Sequence, residues 1–357
     1  MCTNLVIPRN SQTQPVVSAR SMDFANIIPT CVTVVPKGHP FPFFLEKWAY
    51  PKAHTWKAQY GFVGMSVGSW PIFMDGLNEK GLSVAALWLP QSDYACPGRL
   101  GEKPNVLNID VVTWILSNFE TAGQVKEALQ NDVTVVGLFC DFFKKLLEII
   151  PGLEHSLYIP VHFMVTDADR KSLVIEFVKG REDQPIITFY DAAPGVMTNA
   201  PTYDWHLTNL SNYVNLKIEN SDQVWWGQEI NGSGMLGLPG DGTPPSRFIR
   251  AAKMLETQYS PPDKQSAVSL ALQILNVCIV PRGTILPSKG GKKGDFTQWI
   301  CARDHTHLNY FYQSFGDGIL HGIRLQEIDF SSVRYKSIKI KGYENWYQNE
   351  TERLKSQ

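Results

Sequence analysis

Cysteine at position 2 stands directly behind Met1 and opens an alternating apolar stretch, Cys2-Thr-Asn-Leu-Val-Ile. That period of two predicts a β-strand that starts at the terminus itself, so the first residues are tied into a sheet instead of fraying. A second strand-like run over 15–24 follows the polar turn 9–14, and a hairpin of the two would bring Arg20 and Asp23 back beside Cys2. The constraint is also chemical. Removal of Met1 leaves a free N-terminal cysteine, whose thiol is a nucleophile and whose α-amine, with an ordinary pKa of roughly 7.7–8.0, can shuttle a proton near neutrality.

Arg20 and Asp23 are three apart and fall on opposite faces of a regular strand, so a bulge or turn at 21–23 is expected if both are to reach the thiol. A guanidinium beside sulfur favours thiolate, and a carboxylate accepting hydrogen bonds fixes the amine and the sulfur's rotamer. Each residue alone has a plainer reading. A lone cysteine is ordinarily structural, and an Arg and an Asp on a hairpin describe a solvated ion pair worth less than about 1 kcal/mol.

Periodicity predicts further strands near 31–35, 61–67, 81–88, 161–167, 172–178, 186–190, 298–303, 308–314 and 335–340. It predicts helices near 108–118, 121–130, 139–149, 203–215, 246–257 and 264–277. Strand runs interrupted by paired helices point to stacked α+β layers rather than to a βαβ alternation. Ser246 is the expected N-cap of the 246–257 helix, whose Phe248, Ile249, Ala252 and Leu255 share one face. The segment 137–158, rich in Phe and Leu, reads as an apolar helix that covers a pocket, packs a subunit or joins the core. The end of the chain reads as an extended edge followed by a solvated tail.

Several patterns are set aside on context. Gly232-Ser-Gly234-Met-Leu-Gly237 has dinucleotide-loop spacing, yet it follows a polar stretch and leads into Leu-Pro-Gly-Asp instead of a helix. The Ser288-Lys-Gly-Gly-Lys-Lys-Gly stretch lacks the Gly-Lys-Ser/Thr ending of a phosphate loop and reads as a surface loop. His305 and His307 face one side of a strand-like stretch, but no third ligand stands in pattern. The 6 cysteines, at 2, 31, 96, 140, 278 and 301, show no metal or redox spacing, and reduced thiols are expected. A formal net charge of −1 gives no footprint for nucleic acid. The absence of a long apolar run gives no membrane span, and the absence of a charged-then-apolar leader reads as a cytoplasmic chain, or as an exported one whose signal peptide was removed.

The ordered motifs Met1-Cys2-Thr, Ala19-Arg20-Ser-Met22-Asp23-Phe24, Asp75-Gly-Leu-Asn78-Glu79-Lys-Gly81-Leu82, Thr198-Asn199-Ala-Pro201 and Leu238-Pro239-Gly240-Asp241 through Ser246-Arg247-Phe248 resemble the choloylglycine hydrolase family. Its members are N-terminal-nucleophile amidases that include conjugated bile acid hydrolases and penicillin V acylases. The likeness runs over about residues 2–325. It implies a four-layer αββα sandwich, here one domain over 2–357 with 341–357 as a tail. It also implies an amidohydrolase without metal or cofactor, acting on a small-molecule amide substrate, and a homo-oligomer, often a tetramer.

Carried over by residue, the resemblance makes Cys2 the nucleophile, with Arg20 and Asp23 flanking it. Asn199 becomes the side-chain donor to the oxyanion and Arg247 the remaining active-site arginine, with Arg250, one turn on, as its rival. Without the family, 198–201 would read as a simple turn. Bile acid hydrolases of the family tend to carry Asn, and many penicillin V acylases Tyr, where Trp88 stands. The Trp88 backbone N–H is still expected as the second oxyanion donor, and its ring with Phe24 makes an aromatic slot, unless Trp88 is simply core. That slot favours aryl or alkyl acyl groups, as in penicillin V or N-acyl homoserine lactones, with bile salts as the alternative. A catalytically silent acyl-ligand binding protein that keeps the fold is the alternative of another class.

Overall fold

Strands with apolar faces gather into two large sheets that stack face to face, beside three two-stranded ones. The computed structural model describes residues 1–9, 11–42, 53–95, 103–137, 159–180, 184–221, 224–229, 232–257, 259–286, 293–340, 351 and 353. The six-stranded sheet runs in the order Val196–Met197, Cys2–Val6, Val17–Phe24, Phe296–Asp304, Asn309–Ser314 and His321–Arg324. The eight-stranded sheet runs Pro185–Asp191, Ser172–Lys179, Val161–Thr166, Ser83–Trp88, Phe73–Asn78, Phe62–Val67, Thr30–Val35 and Lys336–Lys339. Neighbours in both are antiparallel, the arrangement that short loops permit.

The eight-stranded sheet is buried on both sides, and its residues sort by parity. Ala85, Leu87, Met164 and Val174 join the core shared with the six-stranded sheet, whereas Val84, Phe163, Val165, Leu173 and Ile175 face a second core. Helices Val111–Asn118 and Ala122–Asn131 close that second core with Ile115, Leu116, Val125 and Leu129. Pro244–Leu255 and Lys264–Asn276 pack on the outside of the other sheet. The layers are therefore helix, sheet, sheet, helix, an αββα sandwich. Each fully buried Leu, Ile or Val in it contributes about 1.5–3 kcal/mol through lost apolar exposure.

The predicted strands all form within a few residues of the expected limits. The two helices expected around Glu120-Thr121 are joined by a capping box, with Thr121 and Gln124 satisfying each other's backbone N–H groups. Two expectations change, the start of one helix and its cap, and one strand is added. The helix placed at 246–257 begins at Pro244, because two prolines suit a first turn and Thr243 takes the cap position. Ser246 instead donates to the Asp241 carboxylate at 2.6 Å. The strand Phe73–Asn78 is not among the strands that periodicity predicts, since Asp75, Gly76 and Asn78 are poor strand formers. The helix expected at 139–149, within the apolar segment 137–158, lies outside the described residues, as do residues 288–292 of the lysine-glycine stretch that starts at Ser288, Cys96, Cys140 and most of the tail. No helix among the described residues is long and apolar enough to cross a membrane.

Candidate active site

The hairpin pairs Cys2 with Met22, Thr3 with Ser21 and Asn4 with Arg20. Cys2 and Met22 therefore share a face, and their sulfurs lie 3.8 Å apart. Arg20, on the same face, reaches across to the other sheet. It donates to the carbonyls of Met74 and Ala86, lies 3.9 Å from the Cys2 Sγ through Nη2, and stands 5.2 Å from the centre of the Trp299 ring. Burial works against its charge, but Cys2, Asp75 and Cys301 outweigh burial and raise its pKa.

Asp23 occupies the opposite face, as alternation requires. Its carboxylate accepts from Thr297 at 2.6 Å and Ser21 at 3.3 Å, and its main-chain carbonyl accepts from the Met1 amine at 2.7 Å. The strand 17–24 thus presents Arg20 to the sulfur and Asp23 to the amine end, and the bulge expected at 21–23 is absent there. The irregularity lies on the neighbouring strand, between Thr297 and Trp299. The extra residue, Gln298, donates to the Phe24 and Asn26 carbonyls and accepts from the Ile28 N–H, pinning the chain just past Asp23. Burial raises the Asp23 pKa, while Arg247, the terminal amine, Thr297 and Ser21 pull the other way.

Pairing of Val196–Met197 with Asn4 and Leu5 carries the next residues alongside the start of the chain. Asn199 Oδ1 accepts from the Cys2 N–H at 2.6 Å and from Arg247 Nη2 at 2.8 Å, and its Nδ2 donates to the Trp88 carbonyl at 2.8 Å. An amide NH2 has two protons, so one remains for a further acceptor. Arg247 also donates to the Cys2 carbonyl at 2.5 Å and to Thr3 Oγ1 at 2.6 Å. Arg250 turns elsewhere, to the carbonyls of Pro239, Asp241 and Val277. Geometry thereby separates the two arginines that sequence left as rivals.

Residues not singled out from the sequence hold Asn199 in place. His162 Nε2 lies 2.8 Å from the Thr198 carbonyl and His206 Nε2 2.8 Å from the Asn199 carbonyl. A carbonyl only accepts, so both Nε2 atoms carry hydrogen. His162 Nδ1 meets buried Glu176 at 2.9 Å, and Glu176 also accepts from the Tyr203 N–H. Burial lowers the His206 pKa, and its ring stacks on Phe248 at 4.7 Å. The sequence signal was faint: a histidine and a glutamate inside apolar strands.

A cavity of about 90 Å³ opens on Cys2, Arg20 and Asp23. Its walls are otherwise mostly apolar, among them Phe24, Ile28, Ile72, Trp88, Ile109 and Ile159. Trp88 is half-buried, with its ring 6.2 Å from that of Phe24 and tilted by 57°, so it both lines the cavity and packs against the core. His305 is buried between Ser18 Oγ and the Gly81 carbonyl, and His307 pairs with Asp304. No cluster fit for a metal occurs among the described residues. Cys2, Cys278 and Cys301 are buried free thiols and Cys31 is a half-buried one.

The arrangement has known counterparts. A bile salt hydrolase/transferase from Clostridium perfringens is 28% identical over 347 residues, covering 95% of this chain and 97% of its own. A penicillin V acylase from Pectobacterium atrosepticum is 26% identical over 352 residues, covering 92% of this chain and 82% of its own. A crystal structure of a conjugated bile acid hydrolase variant from Clostridium perfringens superposes with a TM-score of 0.77 at 27% identity, over 96% of this chain and 97% of that one. The model of the linear amide C-N hydrolases, choloylglycine hydrolase family, matches residues 2–337, the span that holds Cys2, Arg20, Asp23, Asn199 and Arg247. With fold, motifs and family model in agreement, the chain belongs to the choloylglycine hydrolase family and is a hydrolase of linear carbon-nitrogen amide bonds.

Proposed function

We propose that Cys2, freed by removal of Met1, is the nucleophile and that its own amine is the proton shuttle. The observation that carries this reading is convergence on one residue: Arg20 at the sulfur, Asn199 at the nitrogen and Arg247 at the carbonyl of Cys2. The thiol proton passes to the amine as sulfur attacks the amide carbonyl, giving a tetrahedral oxyanion. The unused Asn199 Nδ2 proton and the Trp88 N–H hold that oxyanion. Collapse breaks the C–N bond, and the ammonium gives its proton to the leaving amine. Water then attacks the thioester, passing its proton through the amine, and releases the acid with the thiol restored. Asp23 and Arg247 hold the amine end in register.

A narrow apolar slot between Phe24 and Trp88 suits a phenyl ring or an acyl chain, which supports a penicillin V-type or N-acyl homoserine lactone acylase. The names of the bile salt hydrolase relatives favour a second reading, hydrolysis of conjugated bile acids. One experiment addresses both. Intact mass before and after a thiol alkylator is combined with amine or lactone release from penicillin V, an acyl homoserine lactone and glycocholate. Loss of Met1, labelling of Cys2 and abolished turnover are expected, with penicillin V or the lactone turned over faster than glycocholate. Turnover that survives complete labelling of Cys2 would sink the mechanism, and a strong preference for glycocholate would overturn the slot argument.

A further inference from the structure

Behind Cys2, between the sheets, two arginines share one aspartate. Arg20, Arg303 and Asp75 are each at most 1% exposed. Arg303 Nη1 donates to Asp75 Oδ2 at 2.8 Å and its Nη2 to Asn4 Oδ1 at 2.5 Å. Arg20 Nη1 lies 3.6 Å from the same Asp75 Oδ2. The other oxygen, Oδ1, accepts from the Tyr310 hydroxyl at 2.9 Å and the Cys301 thiol at 3.4 Å. Burial and Asp75 push the Cys301 thiol up to about 12 and the Tyr310 hydroxyl well above its ordinary value, so both are neutral donors. The Nε atoms of Arg20 and Arg303 are buried without an acceptor. The cluster therefore carries two positive charges against one negative, and more donors than acceptors.

An uncompensated charge away from water is costly, and such sites draw in a counter-charge. Arg20 Nη2 lies 3.9 Å from the Cys2 sulfur, where the thiolate formed in the proposed reaction would supply such a counter-charge. We infer that Asp75 and Arg303 are positioning residues that set the charge at the nucleophile: Arg303 engages Asp75, leaving Arg20 a surplus positive charge for the Cys2 thiolate. This rests on the proposed role of Cys2. The other charged groups around Cys2 are Asp23 and Arg247, one of each sign, on the helix side of the hairpin, and the terminal amine, which in the Met1-bearing chain faces Asp295. The Ser83–Trp88 strand meets Arg20 with the Ala86 carbonyl.

Charge counting gives a test in which the two single variants move in opposite directions. Arg303→Gln lowers the surplus from one to zero, Asp75→Asn raises it to two, and the double variant returns it to one. The readouts, on Met1-processed protein, are the rate of Cys2 alkylation by iodoacetamide at pH 7, followed on the N-terminal peptide, and kcat and KM for penicillin V or whichever amide the wild type turns over best. Arg303→Gln should slow alkylation by about tenfold and kcat in parallel, with KM within about twofold, because the thiolate is the reactive form. Asp75→Asn should alkylate at least as fast as wild type. The double variant should recover to within about threefold of wild type, which loss of packing alone would not produce.

Arg303→Gln reacting at the wild-type rate, or a double variant as slow as Arg303→Gln, overturns the inference. Should Arg303→Gln fail to fold, the comparison of Asp75→Asn and the double variant with wild type decides in the same way. Failure of the underlying reading looks different: the wild type stays active with Cys2 fully alkylated, whatever the ratios between variants.

Discussion

Asn199 is asked to do two things with one side chain, and its atoms divide the work. Oδ1 is committed to the Cys2 N–H and Arg247, whereas Nδ2 has spent one proton on the Trp88 carbonyl. An Asn199→Ala variant removes the donor proposed for the oxyanion, so kcat should fall by roughly 10²–10³-fold, equivalent to about 2.7–4 kcal/mol, while Tm moves little by comparison. Steady-state kinetics with a melting curve on the same sample separates the two. Trp88→Ala leaves the backbone donor in place and removes an aromatic wall. It should lower kcat/KM for an aryl-acyl amide by about tenfold, mostly through KM, which a substrate series of growing acyl size would reveal. Sequence made Cys2, Arg20, Asp23, Asn199 and Arg247 legible because their motifs recur in order. Alternation along 17–24 already put Asp23 on the face away from the sulfur, but it could not show the bulge at Gln298, more than 270 residues downstream, that pins the chain just past Asp23.

Among the elements, the helix Val111–Asn118 begins with an unusual burden. Asp110, at its N-cap position, is buried, makes no side-chain cap bond and has an Oδ2 without a partner. Burial raises its pKa to about 7 from an ordinary 3.8. A raised carboxylate pKa means the folded state holds the proton more tightly. Its contribution to stability is therefore full below about 4 and lost as pH rises toward 7. Asp110→Asn should accordingly raise Tm at pH 8, with an upper bound of about 4 kcal/mol, and leave it nearly unchanged at pH 4. Element existence was readable from periodicity wherever one face is apolar, as with Ser83–Trp88 and Lys264–Asn276. The Phe73–Asn78 strand was not, because its polar residues are spent on tertiary bonds. Asp75 serves Arg303 and Tyr310, and Asn78 ties Leu116 and Phe119 to the turn before Leu82.

Across the whole molecule, chain ends and middle are woven together. Residues 2–6 and 296–304 flank the same strand, and 336–339 pair with 30–35. Any cut between an N-terminal and a C-terminal half would divide both sheets, so we propose a single cooperative unit and expect one calorimetric transition. Its acid limb should bear the mark of His305, whose pKa burial lowers to about 3 from an ordinary 6.5. A lowered histidine pKa contributes stability that is full above about 6.5 and drains as pH falls toward 3, at about 1.4 kcal/mol per pH unit. Between about 4 and 6.5 this opposes the Asp110 effect. His305→Gln should therefore flatten the acid side of a Tm-pH profile and leave stability falling as pH rises.

The Cys2 N–H is bonded to Asn199 within a strand flanked on both sides, and Cys2 is only 3% exposed. A peptide bond so placed is closed to an aminopeptidase. The methionine removal we propose would then come before the flanking strand Val196–Met197 and Asn199 are made, and Asn199 lies 197 positions downstream of Cys2. At about 5–20 residues per second, ribosomal synthesis leaves an interval on the order of tens of seconds. The proposed maturation would in that sense be a race against the chain's own translation.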